Sequence, residues 1–105
     1  MTSDSSAPSF SDVSITDVPS RQRFEARTPD GEVVGFAAYQ RSGGLVTMTL
    51  TEVDAAHEGS GVGGKLARVA LDQVRREGLA VDPQCPFIAS WIERHEDYQD
   101  VLART

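Results

Sequence analysis

The hydrophobic period of this chain changes once, across a run of glycines, and that change limits the fold more than any other feature. Residues 45–53 (LVTMTLTEV) alternate apolar and polar positions, as a half-buried strand does. After a short polar link comes the run Gly59-Ser60-Gly61-Val62-Gly63-Gly64. Beyond it, Val62, Leu66, Val69, Ala70 and Val74 fall on one helical face. A strand that feeds a helix through glycines leaves first-turn amides unpaired, with no side chains in the way. The helix dipole adds partial positive charge at that point, so the run is built to hold an anion such as a pyrophosphate.

The segments on either side narrow the fold further. Val13, Ile15 and Val18 alternate until Pro19-Ser20 breaks the pattern. Residues 21–28 carry Phe24 and Ala26 on one face, with Arg23, Glu25 and Arg27 on the other. Pro29-Asp30-Gly31 is a turn signal, residues 32–41 read as the return strand, and Ser42-Gly43-Gly44 turns again. The spacing predicts an antiparallel meander of at least three strands, ending at Val53. Downstream, Gly78 sits where a helix stops, and Asp72 and Arg76 are spaced to pair. Residues 79–81 read as a short strand ended by Asp82-Pro83, so strand, helix and strand make a right-handed parallel unit. Residues 85–95 (CPFIASWIERH) predict a second helix that buries Phe87, Ile88 and Trp91, and residues 98–102 a last turn. Residues 1–11 are polar and Ser-rich and are expected to be a disordered tail; residues 12–105 then form one domain.

Composition excludes several function classes. The formal net charge is −6, which opposes a nucleic-acid partner and leans toward a cationic substrate. The single Cys85 cannot form an internal disulfide and suits a reducing, cytoplasmic setting. Two His and one Cys give no metal-ligand spacing, so no metal is expected. No apolar run approaches a membrane span, and residues 1–9 (MTSDSSAPS) lack the features of a signal peptide.

Three owners compete for the glycine run. It matches G-x-G-x-x-G, the dinucleotide fingerprint, and Asp82 lies about 20 residues on, where a ribose-binding acid belongs. That fingerprint opens a doubly wound sheet, whereas here a meander precedes it and little follows. Gly59 to Lys65 also fits G-x-x-x-x-G-K, but Leu66 stands where a magnesium-holding Ser or Thr is needed. The third pattern combines T-E-V…E-G-x-G-V-G…K-L with C-P-F-I-A-S-W-I-x-R-H-x-x-Y downstream. Together these segments resemble the acyl-coenzyme A motif of GNAT-family N-acetyltransferases, and more narrowly the minimal single-domain members of that family. The likeness covers about residues 23–102.

The resemblance implies an α+β GNAT-like fold: a meander, one parallel βαβ unit and a closing helix. It implies transfer of an acetyl group from acetyl-coenzyme A to an amine, by a monomer or weak homodimer. A coenzyme-A-binding module without turnover is the alternative. In such proteins the strand before the loop splays from its parallel neighbour and the pantetheine arm lies in the gap. Carried over, Val53 offers its amide to the pantetheine or to the oxyanion. Gly59, Ser60, Gly61, Val62, Gly63 and Gly64 cradle the pyrophosphate, and Lys65, with Arg68, adds charge at the mouth. Glu58 departs from the usual Gln or Arg, which leaves more of the binding to the glycine amides. Cys85 follows the last strand at a helix start and is a candidate for chemistry, either as acetyl acceptor or as proton donor to the leaving thiolate. Glu52 is a candidate general base acting through a water, its direction depending on strand register. Ile92 stands where larger members place a Tyr acid; Tyr39 and Tyr98 are fallbacks. His57, in the link before the glycines, reads as a surface residue in preference to a base, and His95 as a solvated helix end.

Overall fold

The computed structural model describes residues 13–103; the tail expected over residues 1–11 lies outside them. β1 (Ser14–Val18), β2 (Arg23–Arg27), β3 (Val33–Ser42) and β4 (Leu45–Val53) form an antiparallel meander in chain order. α1 (Val62–Arg76) crosses to β5 (Ala80–Pro83), which pairs parallel with β4 and completes a five-stranded sheet. α2 (Pro86–Arg94) and a 3₁₀ turn over Glu96–Val101 close the chain. β5 includes the Asp82-Pro83 pair expected to end it. Pro83 is its last residue, where a missing amide costs little. Among the described residues no helix is long and apolar enough to cross a membrane.

Both helices lie on one face of the sheet. A Cβ placed on Gly35 would sit 3.4 Å from side-chain atoms of both Val62 and Leu66, so Gly35 faces α1. Its register partners Ala26 and Val53, and the row Phe24, Ala37 and Thr51, share that face. α2 packs on β4 and β5 and against α1. The buried stripe of α1 is Val62, Leu66, Ala67, Ala70, Leu71 and Val74, whereas Val69 is only half-buried. The stripe is broader than the expected one because α1 packs on both a sheet and a second helix. Burial of Leu66 and Leu71 is complete and stabilises the fold by roughly 1.5–3 kcal/mol each.

One irregularity decides which way the end of β4 faces. Tyr39 pairs with Met48 and Ala38 with Leu50, so Thr49 is an unpaired bulge residue. The extra residue shifts the pleat by one. Met48 faces the helices before it, and Thr51 and Val53 face them after it. Strict alternation would have buried Leu50 with Met48; instead Leu50 is 45% exposed. The other face carries the row Thr16, Glu25, Phe36 and Glu52, and no helix of the described residues covers it.

Candidate functional site

β4 outruns its parallel neighbour. Pairing with β5 stops at Met48–Pro83, and the Cys85 amide makes the next bond, to Met48 O at 2.9 Å. Residues 50–53 are therefore paired on the β3 side only, among the described residues. Asp54 N points toward β3, donating to Val34 O at 2.8 Å, so alternation turns the Val53 and Thr51 amides to the bare edge.

The chain then rises through a 3₁₀ turn, Ala55–His57, capped by the Asp54 carboxylate on Ala56 N. Ser60 is turned inward: its amide and hydroxyl both donate to His57 O, at 3.2 and 2.5 Å. Gly61 caps α1 at φ 91°, a left-handed conformation that a side chain would strain. Lys65 N to Gly61 O is the first bond of α1, and no side chain caps the helix. The amides of Val62, Gly63 and Gly64 are thus left over at its positive end.

These amides open on a cleft of about 350 Å³, floored by Thr51 and Val53 and walled by His57, Glu58, the glycines and Phe87. Phe87 was expected in the core; it is 37% exposed and stands at the cleft instead. A Cβ on Gly63 would come within 2.9 Å of Phe87 Cζ, so a glycine is what lets the two helices close there. His57 was expected at the surface; its Nδ1 is buried in the wall without a hydrogen-bond partner among the described residues. An anionic, acceptor-rich group fits this donor set.

A second groove, of about 410 Å³, continues from Gly61 and Gly64 past Lys65, Arg68, Trp91 and His95. Lys65 Nζ donates to Val13 O. The Arg68 guanidinium lies over Trp91 and Tyr98 at 5.4 and 5.6 Å. His95, expected to be a solvated helix end, stacks on Trp91 at 3.7 Å and is half-buried, with Nδ1 2.7 Å from Trp91 O.

The remaining candidates lie apart from the cleft wall. Cys85 is buried at the fork between β4 and β5, and its thiol donates to Thr51 Oγ1 at 3.3 Å. Thr51 itself lines the cleft, so the sulfur sits one hydrogen bond behind it. Glu52 is exposed on the opposite sheet face and makes no side-chain hydrogen bond or ion pair within the described residues. There it lines a groove of about 340 Å³ with Arg23, Phe36, Val53 and Asp54. Tyr39 donates to Asp17 and Tyr98 to Asp72, and neither lines the cleft. Burial, then the bonded carboxylate, pushes both phenols above their ordinary range. Asp72 is thereby engaged by Tyr98 rather than by Arg76. Sequence reasoning missed Thr51; the signal available was its place two residues before Val53, on the same pleat.

Comparison with known proteins bears on this arrangement. A family model described as GCN5-related N-acetyl-transferase matches residues 23–101. A GCN5-like protein from Staphylococcus aureus, assigned as an N-acetyltransferase, is similar with a TM-score of 0.69 and 22% identity, over 90% of this chain and 92% of its own. A Deinococcus radiodurans protein assigned as an acetyltransferase gives 0.60 and 21%, over 94% and 87% of the two chains. A Klebsiella pneumoniae protein assigned as an acyl-CoA N-acyltransferase gives 0.51 and 26%, over 61% of this chain and 47% of its own. No curated protein matches the chain. The first two likenesses show the same fold.

Proposed function

The chain belongs to the GCN5-related N-acetyl-transferase family and is an acyltransferase; on that premise we propose that it moves an acetyl group from acetyl-coenzyme A to an amine. One observation carries the reading. The unpaired amides of Val62, Gly63 and Gly64 and the uncovered end of β4 open on the same cleft. The first suits a pyrophosphate, and the second offers backbone donors to a pantetheine arm laid alongside.

The residues divide the work as follows. Val62, Gly63 and Gly64 hold the pyrophosphate, with Gly59 and Gly61 shaping the approach. Ser60 fixes the turn through His57 O rather than offering its own amide. The Val53 amide, facing the bare edge, donates to the oxygen of the thioester as it becomes an oxyanion. The amine nitrogen attacks the carbonyl carbon, the carbon–sulfur bond breaks, and the thiolate leaves. Glu52, through a water, takes the proton that the amine gives up. Thr51 Oγ1 gives a proton to the departing sulfur as it takes one from Cys85; solvent reprotonates the Cys85 thiolate and removes the proton from Glu52 once the products leave. Direct transfer is favoured over an acetyl-Cys85 intermediate because the Cys85 sulfur is buried and lines none of the clefts described above. Lys65, tied to Val13 O, and Arg68 lie along the second groove, where they face the nucleotide end of the donor.

Calorimetric titration with acetyl-coenzyme A, coenzyme A and NAD tests the binding claim. Both coenzyme A forms are expected to bind and NAD is not; NAD binding alone would sink the reading. Thiol release on adding amines tests turnover, and binding without release by any amine would leave only a coenzyme-A-binding module. Mass spectrometry after incubation is expected to find Cys85 unmodified. Cys85→Ala is expected to lower kcat by roughly 100-fold, the lower end of one general-acid contribution, with coenzyme A affinity retained.

A further inference from the structure

The bare sheet face carries an arrangement of charge that names the class of acceptor, and the argument rests on the acetyl-transfer reading. The groove on that face shares Val53 with the coenzyme cleft, so it lies directly across β4 from the site of transfer. Its β4 wall is acidic, with Glu52 and Asp54. Its β2 wall is basic. Glu25 is fully buried and meets Arg27 at 2.6 Å, Arg23 at 2.8 Å and Arg21 at 3.5 Å. Among the described residues, one carboxylate shared by three guanidiniums leaves two positive charges over at that end. Arg23 extends from this cluster over the Phe36 ring, 4.7 Å from its centroid, and into the groove.

Arg23 and Glu52 thus face one cavity from β2 and β4 without pairing with each other. Two strand spacings separate those strands, about 10 Å. An ammonium group is drawn to the β4 side. A second ammonium reaching the β2 side meets the positive charge left over among the described residues, whereas an acid group there is attracted to the part of the Arg23 guanidinium not bonded to Glu25. We infer that the acceptor is an amine that also bears an acid group, a carboxylate or a phosphate, with its nitrogen at Glu52 and its acid at Arg23. The overall charge of −6 alone favours a plain polyamine; the local distribution in the groove reverses that preference.

The experiment uses four probes of one length: 6-aminohexanoate, 6-aminohexyl phosphate, hexylamine and 1,6-diaminohexane. Backbone amide shifts of Phe36, Glu52 and Val53 report binding in the groove, and thiol release with acetyl-coenzyme A reports kcat/KM. At least one acid-bearing probe is expected to exceed both plain amines by about 10-fold, a difference of ~1.4 kcal/mol. The order of the two acids tells carboxylate from phosphate. Arg23→Gln should erase the advantage over hexylamine, with a melt to confirm folding. Glu52→Gln, at an exposed position, should weaken all four probes alike. Equal or tighter use of hexylamine or diaminohexane overturns the inference, as does an advantage that survives in Arg23→Gln. Acetyl-coenzyme A titrated into the same sample separates the two levels. Coenzyme binding with a silent groove removes this inference alone; failure of coenzyme binding removes both.

Discussion

At Gly63 the lack of a side chain serves two purposes that a single substitution separates. Alanine within a helix gains about 0.5–1 kcal/mol over glycine from propensity. Here its Cβ would press on Phe87 Cζ, 2.9 Å away. Phe87 is partly exposed and free to swing, and the direction open to its ring is the cleft. Gly63→Ala should therefore melt close to the wild type while coenzyme A affinity falls by roughly 10-fold (~1.4 kcal/mol), as a paired melt and titration would show. Glu25 is the other residue whose environment makes a sharp claim. Burial pushes its carboxyl up, but bonds to Arg27 and Arg23 outweigh burial and hold it below the ordinary range. A depressed folded value contributes stability above the ordinary carboxyl range, and that stability is lost as pH falls through the folded value. Melting temperature should drop between pH 7 and pH 3 in the wild type, and less steeply in Glu25→Gln. At pH 7 the same variant should cost about 1–3 kcal/mol, because three guanidiniums lose their shared anion and an amide NH2 replaces one of its two acceptor oxygens.

At the scale of elements, β4 does the most, and it does so by breaking its own pattern. The sequence LVTMTLTEV gives no sign of the bulge at Thr49, because every residue in it suits a strand. The bulge follows from how β3 and β4 pair, which only the assembled sheet determines. A clean contrast tests it. Leu50→Lys should change stability by no more than about 0.5 kcal/mol, as a surface substitution does. Met48→Lys, at a fully buried position, should abolish a cooperative melt. A large loss at Leu50 would show that the strand alternates without interruption. α1, by contrast, was legible in both its start and its stop. Gly61 and Gly78 bound it where the period change and the glycines placed them. Its stripe was read too narrowly, since a neighbouring helix cannot be seen in one helix's own periodicity.

At the scale of the whole molecule, sheet, helices and loop meet at a single opening, so a ligand there touches elements from both halves of the chain. A ligand that binds only the folded state should therefore stabilise all of it together. Acetyl-coenzyme A at 100 times its dissociation constant should add about 2.7 kcal/mol and raise the melting temperature accordingly. An unchanged melt would deny that the cleft is the binding site. On the proposed reading the two faces of the sheet divide the reaction: the donor side is packed with helices, and no helix of the described residues covers the acceptor side.

The sequence by itself determined the meander, the βαβ crossover, the glycine-started helix and the kinship those segments carry. These are local matters of period, turn residues and backbone freedom, and each is written in a few adjacent residues. Tertiary structure alone decided the rest. It put Cys85 behind Thr51, set Glu52 on the face opposite the loop, brought Phe87 onto Gly63, and gathered three arginines around one buried carboxylate. Each of those depends on register or on contact between distant segments, and a one-residue bulge is enough to reverse which side of the sheet a side chain serves.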